Sequence, residues 1–447
     1  MKMIAIPKKE WPAGLAKAAG SFRLFGPVKE KEFHSFKRLD KGQVPDFSFQ
    51  NTRLSPKHLV YPQSEVMLTY SLDESRADHH IMKEAAADTT PRAVLGIRPC
   101  DAKAFVLVRL NFDTPDYKDP YWLRAYESTT FIGLGCESPC SSCFCTTAGC
   151  GPFHEEGLDV LLADAGDHFL AKVLTEKGAA WVAAGGWTRA ADAKAEERLA
   201  GLRQAAEAKI TSQVQTDNLK AAETTALYNA SFWDEVSFAC INCGTCTYSC
   251  PTCWCFDIQD ETRGKSGVRM KNWDSCMYPL FTLHGTGHNP RGTKLHRVRQ
   301  RFMHKLKYFV DKYDRGIQCV GCGRCVRLCP VNIDIRRVCG MMNGLAASGE
   351  AQRCGQGHEA QVRQDRVSRA GDPVAQRHQL SPDHVRRHRG PARAVDAEHD
   401  RLYAWVGDRL AERRAGVPIS RNWRRSATCR VSISTTDCRR ARMQRGS

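Results

Sequence analysis

A chain of 447 residues with 21 cysteines is long enough for two or three domains, and its cysteines fall at one- and two-residue spacings that point to metal ligation in a reducing compartment rather than to secreted disulfides. The net charge of +17 suggests nucleic acid only until it is divided: residues 1–345 hold 45 basic against 38 acidic side chains, and residues 346–447 hold 21 against 11. No signal-peptide pattern opens the chain and no apolar run approaches a membrane span, so the expectation is a soluble cytoplasmic protein with no membrane contact.

Residues 1–187 read as an α/β domain. Ala93–Ile97 is apolar enough for a buried strand, Arg98-Pro99-Cys100-Asp101 breaks it, and Ala102 to Leu110 reads as a helix with Asp101 as N-cap. Thr130–Leu134 is a second strand that runs into Gly135-Cys136. Two strands that each end in a cysteine-bearing loop suggest one edge of a site. The second loop carries Cys136, Cys140, Cys143, Cys145 and Cys150, too dense for chance. One reading is a third metal centre built from Cys100, Cys136, Cys143 and Cys145; the other is a set of buried or redox-active thiols. A strand at Leu158–Leu162 and a helix over His168–Ala184 lead to a boundary at Gly185-Gly186.

Residues 188–235 read as a helical linker, rich in Ala, Glu, Lys and Leu, with Trp233 and Phe238 packing ahead of the next domain. Residues 236–345 then carry the same pattern twice: Cys240-Ile-Asn-Cys243-Gly-Thr-Cys246-Thr-Tyr-Ser-Cys250-Pro251 and Cys319-Val-Gly-Cys322-Gly-Arg-Cys325-Val-Arg-Leu-Cys329-Pro330. This C-x2-C-x2-C-x3-C-P run is that of bacterial ferredoxins, where three thiolates hold one cubane and the fourth reaches to the other. Zinc usually takes two separated pairs and has no use for the third cysteine. If the ferredoxin swap holds, cluster one takes Cys240, Cys243, Cys246 and Cys329, and cluster two takes Cys319, Cys322, Cys325 and Cys250. Gly244, Gly321 and Gly323 let the backbone turn tightly there.

The long insert between the runs favours a helical two-cluster domain with a helix after each Cys-Pro. It places Cys253, Cys255 and Cys276 near the clusters, without a decided role. Its histidines read as surface or hydrogen-bonded, and Arg291, Arg297, Arg299 and Arg301 as a docking face for an acidic partner or a solvated helix face. No Gly-x-Gly-x-x-Gly follows a strand, so a bound nicotinamide or flavin has no support in this chain. Residues 346–447 hold 21 arginines and no lysine, with no hydrophobic periodicity. That stretch reads as a shifted reading frame of a GC-rich gene with little stable structure; the alternative is a disordered basic tail binding nucleic acid or an acidic partner.

Beyond the two runs, Cys250-Pro-Thr-Cys253-Trp-Cys255-Phe-Asp-Ile-Gln-Asp260, Trp273-Asp-Ser-Cys276-Met and His284-Gly-Thr-Gly-His-Asn-Pro-Arg291 resemble the beta subunit of cytosolic sulfhydrogenases and NAD(P)-linked [NiFe] hydrogenases. They are also similar to the corresponding iron–sulfur subunit of anaerobic sulfite reductase. Gly96-Ile-Arg-Pro-Cys100-Asp-Ala and Cys143-Phe-Cys145 match the N-terminal domain of that family. The resemblance covers about residues 60–340 and implies a non-catalytic iron–sulfur subunit. It would relay electrons through two [4Fe–4S] clusters, with a third in question. The relay would join a flavin- and NAD(P)-handling partner to the catalytic subunit of a hydrogenase, sulfur reductase or sulfite reductase. The alternative is a reductase in its own right, with substrate at the N-terminal domain. The expected fold class is α+β, an α/β domain followed by a mainly helical dicluster domain.

Overall fold

Residues 2–347 are described by the structure, a computed structural model of the chain. The expectations for the arginine-rich stretch, with Cys354, Cys429 and Cys438, lie outside these residues. The chain opens with β1 (Lys2–Pro7), α1 (Trp11–Ala18), β2 (Arg23–Lys29) and β3 (His34–Arg38), then β4 (Ser64–Ser71), β5 (Lys83–Glu84) and β6 (Arg92–Ile97). α2 (Pro99–Phe112), α3 (Pro120–Glu127), β7 (Thr129–Leu134), β8 (Val160–Asp164), β9 (His168–Val173) and α4 (Glu176–Gly185) follow. Seven strands make one sheet in the order β1-β9-β8-β7-β6-β2-β3, parallel through β2, β6, β7 and β8 and antiparallel at its edges.

The two-residue period of a strand explains how this sheet is buried on both faces. Leu95, Ile132 and Leu162 point to one side, where Trp11 and Leu15 of α1 and Trp181 of α4 cover them. Their neighbours Val94, Phe131 and Leu161 point to the other, under Ala102 and Phe105 of α2 and Leu199 of α5 (Ala195–Glu207). Strands β6 and β7 are parallel neighbours, so the loops leaving them emerge at the same edge.

Two local expectations need correction. The N-cap of α2 is Arg98, with Pro99 at the helix start, where its missing N–H costs nothing. Asp101 sits further in, and its carboxylate is committed to a distant arginine instead. His168–Val173 is a strand, because its register against β8 and β1 satisfies the backbone on both sides; the helix begins only at Glu176, capped by the Thr175 side chain.

The second half runs through α6 (Thr224–Asn229), α7 (Phe232–Phe238), α8 (Thr245–Tyr248), β10 (Phe256–Arg263), β11 (Ser266–Trp273) and α9 (Lys294–Met303). A π-helical turn at His304–Tyr308 leads to α10 (Phe309–Tyr313), α11 (Arg324–Arg327) and α12 (Ile335–Ala347). A helix does follow Cys329-Pro330, but the segment after Cys250-Pro251 forms the β10–β11 hairpin, which turns at Gly264 (φ +59°). β11 also pairs with β4, giving a second sheet in the order β10-β11-β4-β5 that joins residues 64–71 to the insert. Trp233 is buried as expected, whereas Phe238 is 84% exposed. The core around Trp233, Phe302 and Met342 also takes in Phe144 and Ala148 of the N-terminal cysteine loop. Among the described residues no helix is long and apolar enough to cross a membrane.

Candidate metal centres

The two cysteine runs have the same backbone shape. Gly244 and Gly323, each just before the short helix of its run, have φ of +72° and +68°. Two residues earlier, Asn242 (φ +56°) matches Gly321 (φ +63°); Asn is among the few side chains that tolerate this region. The difference between them has a cause. A Cβ on Gly321 would meet the Cys145 Cα at 2.5 Å, so glycine is required where the N-terminal loop lies on the second run.

The first run delivers its ligand set to one place. Cys240, Cys243, Cys246 and Cys329 line a single cavity, with Cys325 also on its wall. Backbone N–H groups point at two of these sulfurs, Asn242 to Cys240 at 3.4 Å and Ile333 to Cys329 at 3.3 Å. In the second run, burial pushes the Cys319, Cys322 and Cys325 thiols up, Cys322 to about 11, and proximity to Cys250 adds to the rise in all three. The swap pattern's fourth residue is therefore at the second run. The Cys253 thiol donates to Cys250 and, with Lys305 beside it, holds Cys250 below the ordinary thiol range.

At the sheet edge, Cys100, Cys136, Cys143 and Cys145 line one further cavity together with Cys140 and Cys322. Cys322 belongs to the second run, so this site and that run share a wall. The Phe144 N–H donates to Gly321 O at 3.0 Å, and the Ser142 hydroxyl donates to Gly323 O at 3.3 Å. The Arg98 guanidinium, buried between the two loops, donates to Gly135 O at 2.7 Å and Gln50 O at 3.0 Å. Beneath them Arg324 and Asp101, both fully buried, form an ion pair at 2.6 Å. Sequence reasoning missed this pair. Asp101 was legible only as a capping residue, and nothing local ties it to Arg324.

A third cavity, of about 320 Å³, is lined by Cys253, Cys255 and Cys276. Among the described residues no three Cys, His, Asp or Glu side chains close on one point as a lone metal ion would require; the thiols are arranged around cavities. Cys339 is different: it is buried in α12 and donates to Gln215 O at 3.5 Å, as a structural thiol does.

The arginines read as a docking face are mostly inside. Arg297, Arg299 and Arg301 are 8%, 8% and 4% exposed, because the amphipathic α9 turns these stems into the cluster-side core. Lys57 and Lys305 are buried too. Among the described residues, neither these two lysines nor Arg301 makes an ion pair with a carboxylate. Lys57 donates to Cys253 O at 3.0 Å, Lys305 to the Thr252 hydroxyl at 2.7 Å, and Arg301 to Cys246 O at 3.4 Å. The Arg301 Nε has no partner. Burial opposes the charge on both lysines; for Lys57 it wins, and for Lys305 the nearby Cys250 and Cys253 outweigh it. A buried cation without a counter-charge costs several kcal/mol. The thiolates of anionic iron–sulfur clusters are a counter-charge of the right sign in the right place, so the residues present fit such groups.

Comparison with known proteins agrees with that chemistry. Residues 239–333 match the 4Fe-4S dicluster domain family. The chain is 28% identical over 341 residues to sulfhydrogenase 2 subunit beta of Pyrococcus furiosus, covering 75% of this chain and 96% of that one. No solved structure matches it. These likenesses support an iron–sulfur, electron-transfer type of subunit. The chain thus carries a 4Fe–4S dicluster domain and, over three quarters of its length, is similar to the beta subunit of a sulfhydrogenase.

Proposed function

We propose that this chain is a cytoplasmic relay subunit that passes single electrons between a flavin- and NAD(P)-handling partner and the catalytic subunit of a hydrogenase, sulfur reductase or sulfite reductase. The observation that carries this reading is the contact between cysteine sites: the N-terminal cavity and the second run share Cys322, and Cys325 of the second run lines the cavity of the first. Cubanes held there would supply one-electron steps between neighbours. Cys240, Cys243, Cys246 and Cys329 hold the first and Cys319, Cys322, Cys325 and Cys250 the second, while Cys100, Cys136, Cys143 and Cys145 provide for a third.

The protein's own residues do the rest. Asn242 and Ile333 aim N–H groups at the sulfurs of the first site, and Arg301 and Lys305 place positive charge between the sites, which favours the reduced forms. The outer end of the relay is the first site, where Cys243 is exposed and Phe238 and Ile241 are 84% and 63% exposed. Apolar side chains this exposed beside a redox site suit a partner's surface.

The test is electron transfer from reduced protein to its partner subunit in the paired variants Phe238→Glu and Ile241→Glu. We expect the transfer rate to fall at least tenfold with iron content unchanged. An unchanged rate would move the exit elsewhere.

A further inference from the structure

Cys253, Cys255 and Cys276 lie outside both ferredoxin runs and outside the N-terminal set, yet they converge. The β10–β11 hairpin explains how. Its register pairs Phe256 with Trp273, so Cys255 just before the hairpin and Cys276 just after it return to the same end. The Asp274 N–H donates to Cys255 O at 3.0 Å and closes that end. Cys253 joins them on the wall of the 320 Å³ cavity, and Trp254, Phe256 and Phe281 supply an apolar lining.

The opposite wall is cationic. Arg291, Arg301, His304 and Lys305 face the same space, and no carboxylate lines it. Burial keeps His304 neutral, lowering it to about 4, so the positive charge there belongs to the two arginines and the lysine. His304 and Lys305 sit on the π-helical turn, a distortion that recurs at functional sites. Packing alone accounts for buried thiols but not for three thiols set against buried cations that lack counter-charges.

We propose that Cys253, Cys255 and Cys276 are the three thiolate ligands of a further [4Fe–4S] cluster. Its fourth iron, without a protein sulfur, faces the cationic wall and takes a small anionic or thiolate ligand. Ligation replaces the contact in which the Cys253 thiol donates to Cys250, so the site abuts the second run's cross-ligand. This proposal rests on the reading that the chain carries iron–sulfur clusters. It adds to the relay a site where an exogenous sulfur or oxyanion species could meet the electrons.

The experiment compares full-length protein with the variant Cys253→Ala/Cys255→Ala/Cys276→Ala, both purified anaerobically. Iron, sulfide and zinc are counted per chain, and EPR spectra are recorded after reduction. We expect the variant to lose about four irons and four sulfides and to keep the signals of the other clusters. Equal iron in the two proteins, or zinc lost in place of iron, overturns the site. Absence of iron from both would instead remove the relay reading itself. A second measurement needs no variant: cyanide added to the reduced wild-type protein should shift one cluster's EPR signal, because only an iron lacking a protein ligand binds it readily. An unshifted spectrum overturns the open fourth iron.

Discussion

Arg324 and Asp101 carry the largest single electrostatic commitment in the structure, since both are fully buried and paired at 2.6 Å. Arg324→Met would leave a carboxylate in the core without its partner. We expect a loss of about 3–5 kcal/mol in chemical unfolding of the metal-free chain, with Arg324→Met/Asp101→Asn recovering part of it. Arg301 and Lys305 act on potential rather than folding. Replacing either with Met removes a unit charge a few ångström from the second run's thiolates. At an effective dielectric of about 20 this should lower that cluster's midpoint by on the order of 100 mV, read by EPR-monitored redox titration. The thiols set a pH dependence of their own. Burial raises Cys322 from 9.0 to about 11, so in the metal-free chain the folded state binds this proton more tightly than the unfolded one. Its stabilising contribution is complete below pH 9 and lost as pH rises through about 11, which unfolding midpoints across that range would show. Cluster loading has the opposite dependence, because ligation expels the thiol protons and should weaken as pH falls.

Gly321 and the hairpin show what was legible at the scale of elements. The two ferredoxin runs announced themselves by spacing alone, because ligation to a compact cluster dictates local geometry. Strands β6 and β7 were equally clear, since a strand buried on both faces must be apolar throughout. The β10–β11 hairpin was not. Its strands carry exposed polar residues such as Asp257, Gln259 and Glu261, and its partner β4 lies nearly two hundred residues upstream. The burial of Arg297, Arg299 and Arg301 was hidden for a related reason: a basic helix reads as solvated until the anionic site it faces is known. Gly321 was expected to serve its own turn, yet its second task is to admit the N-terminal loop. Gly321→Ala should therefore cost more than Gly264→Ala, because Gly264 has a similar φ but open space around it. We expect a difference of about 1–3 kcal/mol in unfolding, and disturbance of the N-terminal site's spectrum but not the first site's.

On the scale of the molecule, the α/β sheet and the dicluster segment share cores at Phe144 and around Cys322, and share a sheet through β4. That construction holds the N-terminal cysteines rigidly against the second run, as electron transfer between neighbours requires. The most direct measurement is iron and acid-labile sulfide per chain with EPR of the dithionite-reduced full-length protein. We expect at least about eight irons and spin-coupled [4Fe–4S] signals, the coupling arising because the sites share walls. Zinc in place of iron, or isolated signals with no coupling, would contradict a relay.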